Sequence, residues 1–290
     1  MKYAGYLGFR LGVFLLGIMP FGVMYRLSDF LAFFLRVVLR YRRGVAEENL
    51  RGVFPDMPEA EFRRLLRASY RNLSDVLLEG IKGQSMSREQ LLERYRFVDT
   101  ALPDALYERG LPVLSAQAHY GNWEWGVTSF PLQVKQRVVG IYKPLKHPYI
   151  GAYTDARRSR YGLILRDLRQ TRHAMREFGE SPVLFIMIAD QSPSNPLRAH
   201  WVPFFGKETA WLHGIDYWAR ELKSPVIFMD VQRRRRGFYE IHFSLLADAS
   251  ERVFEEGEIT RAYVKKLEEV ITAAPENWLW THRRWKLSPP

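Results

Sequence analysis

Between Val113 and Val231 the chain alternates short apolar runs with longer amphipathic stretches, and this pattern limits the fold more than any other feature. Val113–Ala118, Val138–Tyr142, Leu163–Leu165, Val183–Ala189 and Val226–Val231 read as strands. Helical patterns fall near residues 122–130, 147–158, 166–179 and 209–222. Strands that alternate with helices build a mostly parallel sheet flanked by helices, so the expected fold class is α/β. The segment Arg233–Arg236, Gly237 and Phe238–Leu245 reads as a hairpin that adds an antiparallel edge, with the arginines at its solvated tip. Helical spacing from Glu59 to Ile81, a capping box of Ser87 with Gln90, and a last helix at Glu258–Ala273 complete the outline.

Three strands deliver polar side chains to one rim of that sheet. The run ending at Ala118 is followed by His119, Tyr120, Gly121 and Asn122, and Trp123 begins a helix. His119 therefore lies at the carboxyl end of a strand, where open α/β sheets place their ligands. Glu124 follows after four intervening residues, a spacing that lets its carboxylate fold back toward the imidazole. A carboxylate on one ring nitrogen fixes the tautomer and leaves the other nitrogen to take a proton. The same six residues also suit a hydrogen-bonded core histidine and an acid placed by the helix dipole. Lys143 ends the Val138–Tyr142 strand, and Asp190 and Gln191 end the Val183–Ala189 strand. Arg157, Arg158 and Arg160 precede Gly162. Cations beside a histidine base suit a substrate bearing phosphate or phosphopantetheine. Arg166, Arg169, Arg172 and Arg176 would form one basic stripe on the 166–179 helix, as a solvated face or a dock for an acidic protein.

The amino terminus has a different character. Leu11–Tyr25 carries no charge, yet its 15 residues make a helix of only about 23 Å, short of the ~30 Å hydrocarbon core. Residues 1–43 hold seven basic side chains and one acid, out of a formal net charge of +11. Basic charge beside an apolar segment is expected at an anionic membrane face, whereas nucleic acid would leave the apolar residues unexplained. Residues 1–43 therefore read as a membrane-anchoring helical segment, monotopic or re-entrant. A single span and a buried helical hairpin are the alternatives. Residues 44–290 form the second unit. Aromatic residues at 14% suit contact with a bilayer interface, and the tail tryptophans Trp278, Trp280 and Trp285 read as an interfacial belt or as tail packing.

The chain has no cysteine, which excludes disulfides, thiolate metal sites and cysteine nucleophiles. There is no GxSxG elbow, P-loop, HExxH or GxGxxG, and the seven histidines show no metal-ligand spacing.

In order along the chain, these motifs resemble the bacterial lipid A biosynthesis acyltransferase family, the lauroyl/myristoyl branch of the lysophospholipid acyltransferases. The resemblance is carried by Asn49-Leu50 with Phe54-Pro55, His119-Tyr120-Gly121-Asn122-Trp123-Glu124, Tyr142-Lys143-Pro144, and Arg158 to Gly162. Asp190-Gln191, Val202 to Gly206 and Pro275 to Lys286 extend it. Lys143 stands where the family more often has arginine, which keeps the charge and loses a bidentate fork. Glu208-Thr209-Ala210-Trp211 replaces a run of small residues.

The resemblance implies a glycerolipid-acyltransferase-like fold. It implies transfer of a fatty acyl chain from acyl carrier protein to a hydroxyl of a lipid A precursor at the cytoplasmic face of the inner membrane. No cofactor, metal or acyl-enzyme is required. His119 would be the base and Glu124 its orienter. Lys143 and Arg158 would hold acceptor phosphate or the donor arm, with Arg160 next in line. Asp190 and Gln191 would shape the pocket, and Asn122 would help hold the corner. Lysophospholipid and aminolipid acceptors stay open, as do hydrolysis of the acyl donor and a non-catalytic basic protein that binds membrane surfaces.

Overall fold

The computed structural model describes residues 2–289. Helices α1 (Lys2–Ile18), α2 (Phe21–Phe33), α3 (Arg43–Val53), α4 (Glu59–Gly83) and α5 (Arg88–Arg94) lead into β1 (Tyr95–Phe97) and α6 (Ala101–Glu108). Strands and helices then alternate as β2 (Val113–Gln117), α7 (Trp123–Ser129), β3 (Arg137–Tyr142), α8 (Pro148–Arg158), β4 (Ile164–Asp167), α9 (Thr171–Phe178) and β5 (Val183–Ile188). The chain closes with β6 (Ala199–Phe204), β7 (Lys207–Leu212), α10 (Gly214–Glu221), β8 (Pro225–Arg235), β9 (Phe238–Asp248) and α11 (Glu258–Ala273).

The main sheet has the order β1-β9-β8-β2-β5-β3-β4, and β8, β2, β5, β3 and β4 run parallel. Every residue of the central strand β2 is buried, as expected of a continuous apolar run covered on both faces. The α/β architecture expected from the alternation is present, and the Ser87–Gln90 capping box forms at the start of α5.

Several expectations need correction. The β8–β9 hairpin exists, but β9 is not the edge, because the three-residue strand β1 pairs outside it. Only two of its four arginines are solvated: Arg234 and Arg235 are exposed, whereas Arg233 and Arg236 both bind the buried Asp75. The 209–222 helix splits into β7, paired antiparallel with β6, and the short α10. The four-arginine stripe does not lie on one helix. Arg166 belongs to β4 and pairs with Glu177, and Arg169 precedes α9 and pairs with Asp167. Trp278 and Trp280 are buried, so the tail packs onto the domain.

Helix α4 organises the amino-terminal half. Its apolar residues Phe62, Leu65, Leu66 and Tyr70 join the main core. A second face carries Asn72, Asp75, Glu79 and Lys82 at helical spacing, and it too is buried, against α2, the tail and the hairpin. The Lys82 ammonium binds the carbonyls of Leu16, Gly17 and Met19 and so closes the carboxyl end of α1 before Pro20. From α2, Tyr25 donates to Glu79, Ser28 donates to Asp75, and Asp29 pairs with Arg71 and Arg236.

Helices α1 and α2 are thus fastened to the α/β unit along one side. Their other side exposes Leu7, Leu11, Phe14 and Ile18, then Val23, Leu27 and Phe30. Among the described residues no helix is long and apolar enough to cross a membrane, which removes the single span.

Candidate active site

The corner after β2 is held from behind. Gly121 adopts φ +59°, and a Cβ there would sit 2.8 Å from Val231 Cγ1, so only glycine makes this turn without displacing β8. Asn122 is fully buried. Its Oδ1 accepts from the Trp125 N–H at 2.9 Å and caps α7, while its Nδ2 donates to Glu79 Oε2 at 2.7 Å. Both ends of its amide are thus engaged inside the protein, and they hold the corner.

His119 meets Asp190 rather than Glu124. Parallel β2 and β5 pair Gln117 with Ile188, and each chain runs two residues further before presenting its polar group. His119 Nδ1 lies 2.7 Å from Asp190 Oδ1, and the His119 backbone N–H donates to Oδ2 at 2.9 Å. Trp278 Nε1 donates to the same Oδ2 at 3.0 Å. With Nδ1 donating to the carboxylate, Nε2 keeps its lone pair, and the Gln191 amide nitrogen lies 3.1 Å from it. Burial opposes charge on the ring, but the bonded Asp190 more than offsets this and Glu124 acts in the same sense, so the pKa rises above the ordinary 6.5. For Asp190, burial pushes upward and is outweighed by His119 and the Trp278 bond, which hold the carboxyl below its usual range.

Glu124 is taken up by Arg158. One guanidinium nitrogen, Nη2, donates to both carboxylate oxygens at 2.8 Å. The expected Glu124–His119 bond is therefore replaced by two pairs side by side, His119–Asp190 and Glu124–Arg158. Both members of the second pair are partly exposed, and α7 and the end of α8 supply them. Arg160 goes elsewhere: its guanidinium binds the carbonyls of Gly83, Met86 and Arg157, closing the carboxyl end of α4. Lys143 is exposed just beyond β3 and has no carboxylate partner among the described residues. Among the described residues no three His, Asp or Glu side chains gather in a way that could hold a metal ion.

A family model for bacterial lipid A biosynthesis acyltransferases matches residues 2–287. The chain belongs to the bacterial lipid A biosynthesis acyltransferase family. It is similar to the lipid A biosynthesis lauroyltransferase of Escherichia coli (strain K12), at 22% identity over 93% of this chain and 88% of the relative. The palmitoleoyltransferase of the same organism is 25% identical over 97% of this chain and 91% of its own. A lipid A biosynthesis acyltransferase of Haemophilus influenzae is 23% identical, with 95% and 86% covered.

This acyltransferase uses residues around its site that sequence reasoning did not single out. Glu79 accepts from Tyr25, Tyr239 and Asn122, each at 2.7 Å, and so ties α2, β9 and the His119 corner together. The signal was present: Asn72, Asp75, Glu79 and Lys82 share one face of α4, but a polar face reads as solvated until its partners are known. Trp278 reaches Asp190 from a tail more than 85 residues away, which no local pattern reports. Behind Asp190 the buried Arg284 stacks on Trp211 with Cζ 4.0 Å from the ring centroid and donates to the Ala210 carbonyl. Its pKa is pushed down to about 10 by burial. Trp211, one of the family departures, is therefore a packing residue of β7.

Proposed function

We propose that this acyltransferase moves a fatty acyl chain from an acyl carrier protein thioester to a hydroxyl of a lipid A precursor, with His119 as general base. The observation that carries the proposal is the His119 ring held by Asp190 through Nδ1 while Nε2 faces the Gln191 side chain. The acceptor hydroxyl would replace the Gln191 amide at Nε2. As its oxygen attacks the thioester carbonyl, Nε2 takes the proton. Collapse of the tetrahedral intermediate breaks the C–S bond, and the proton passes to the departing thiolate. Asp190 steadies the imidazolium between these steps. Arg158 and Lys143 supply positive charge for the acceptor phosphate or the phosphopantetheine arm, with Glu124 fixing Arg158 and adding negative charge near the ring.

The relatives' names support fatty acyl transfer in lipid A biosynthesis, and acyl carrier protein as donor is part of the proposal. We place the reaction at the inner membrane, with the exposed apolar side of α1 and α2 lying on the lipid as a monotopic anchor. The test is to incubate purified enzyme with acyl carrier protein loaded with different acyl chains and with lipid A precursor, lysophospholipid and aminolipid acceptors. Transfer to the lipid A precursor is expected. Transfer only to another acceptor would overturn the acceptor assignment, and release of free fatty acid alone would overturn transfer.

A further inference from the structure

The chain between α2 and α3 is irregular in a way that spacing alone does not require. Phe34–Val38 forms a π-helical turn with Arg36 at its centre, and Arg40 and Arg42 both adopt left-handed backbone conformations at φ +47° and +48°. None of these positions is glycine. Departures of this kind are held in place by their surroundings and gather where side chains must be aimed. Here they aim arginines. Arg36 faces Arg67 of α4 across two adjoining grooves of about 460 and 410 Å³, and both residues line both grooves.

The carboxylates nearby are already engaged. Glu47 is bound by Arg43, Glu59 by Arg51 and Arg63, and Asp29 by Arg71 and Arg236. Arg36 and Arg67 pair with no carboxylate among the described residues. Burial, together with the neighbouring charges of Arg43 and Arg67, lowers the pKa of Arg36, so the cluster is cation-crowded and short of an anion.

We propose that Arg36 and Arg67 form a binding site for the phosphate of an anionic membrane lipid, in the cleft between the Phe34–Val38 turn and the amino-terminal half of α4. A lipid headgroup, rather than free phosphate, fits because exposed apolar side chains continue outward from the cleft. Phe33 lines it, Phe30 lies one turn earlier on α2, Val38 ends the π-turn and Leu39 follows it, with exposures between 51% and 65%. Cations at headgroup depth beside apolar residues match the phosphate layer above the acyl chains. The cleft is distinct from the catalytic rim: Arg67 and Glu79 are separated by about 18 Å along α4 at 1.5 Å per residue. The site rests on the reading that α1 and α2 lie on lipid.

The experiment uses the full chain and vesicles of phosphatidylcholine, with or without phosphatidylglycerol. Flotation is measured for wild type, for Arg36→Gln/Arg67→Gln, and for Arg169→Gln/Arg172→Gln as an equal loss of charge elsewhere. Circular dichroism melts check that each variant folds. An Arg67→Glu single variant gives a second reading of the site. The expected result is wild-type preference for phosphatidylglycerol vesicles, reduced roughly tenfold to thirtyfold in the first double variant, with the control variant close to wild type. Equal loss in both double variants, or no anionic preference in wild type, overturns the site while leaving the membrane reading intact. No wild-type binding to either vesicle overturns the membrane reading and the site together.

Discussion

Asn122 Nδ2 donates to Glu79 Oε2 at 2.7 Å, so the turn that carries His119 is fastened to the buried face of α4. Tyr25 brings α2 to the same carboxyl group and Tyr239 brings β9. Burial raises the Glu79 pKa, despite Arg233 and the tyrosine bonds, so this group's contribution to stability is fully present below the ordinary glutamate value. It is lost as pH rises through the raised folded value. Glu79→Ala should cost at least about 3 kcal/mol by leaving buried donors without an acceptor. It should also lower kcat more than it raises KM, because the corner and not the binding surface is loosened. Glu79→Gln should remove the decline in stability with rising pH. Denaturant melts across pH, with steady-state kinetics, check both expectations.

Asp190 binds His119 Nδ1 and so fixes the tautomer that the proposed mechanism uses, and its removal should be visible in the pH profile. Because the folded pKa of His119 lies above 6.5, the acid limb of kcat/KM should fall at a pH above that of an ordinary histidine. Asp190→Asn removes the offset to burial, so the limb should move to lower pH while the plateau drops by about 10²–10⁴-fold. An unmoved limb in a folded variant would show that the ring titrates independently of Asp190. The linked stability has the same origin: the His119–Asp190 contribution is complete between the ordinary aspartate value and pH 6.5, is lost as pH rises through the raised His119 pKa, and is lost at the acid end as pH falls through the lowered Asp190 pKa.

Glu124 and Arg158 form one unit and should behave as one in kinetics. Glu124→Gln and Arg158→Gln should each weaken acceptor use, and the double variant should lose less than the sum of the two. A coupling of about 1–3 kcal/mol in kcat/KM is expected for groups in direct contact. Strict additivity would separate them and return Glu124 to an independent role beside the ring.

Much of this arrangement was legible in the sequence because parallel strands end on one rim. His119 and Asp190-Gln191 were expected at that rim from two apolar runs alone, and the register of β2 with β5 brings them side by side. The choice of carboxylate was not legible. Glu124 is nearer in sequence and Asp190 nearer in space, and a spacing of four around a corner says nothing about which way a glutamate turns. Arg158 decides it by offering Glu124 a stronger partner. The polar face of α4 was hidden for another reason: periodicity marks a face, and only tertiary partners such as Arg233 and Tyr239 show that it is buried.

Two arginines that stand two residues apart should separate cleanly. Arg158 reaches a partly exposed carboxylate at the rim, whereas Arg160 donates through Nη2 to the carbonyls of Gly83 and Met86, at and just beyond the end of α4, and through Nη1 to that of Arg157. Arg160→Ala would leave those carbonyls without donors in a half-buried position, so it should lower stability by about 2–3 kcal/mol. Its acceptor KM, measured well below the melting temperature, should stay near wild type. Arg158→Ala should do the reverse, raising acceptor KM with a small change in melting temperature, since a partly exposed pair contributes little to the fold. The assay is a pair of melts and a pair of acceptor titrations. A rise in acceptor KM for Arg160→Ala at full folding would place that side chain in the site after all, because helix capping alone gives it no means of touching substrate.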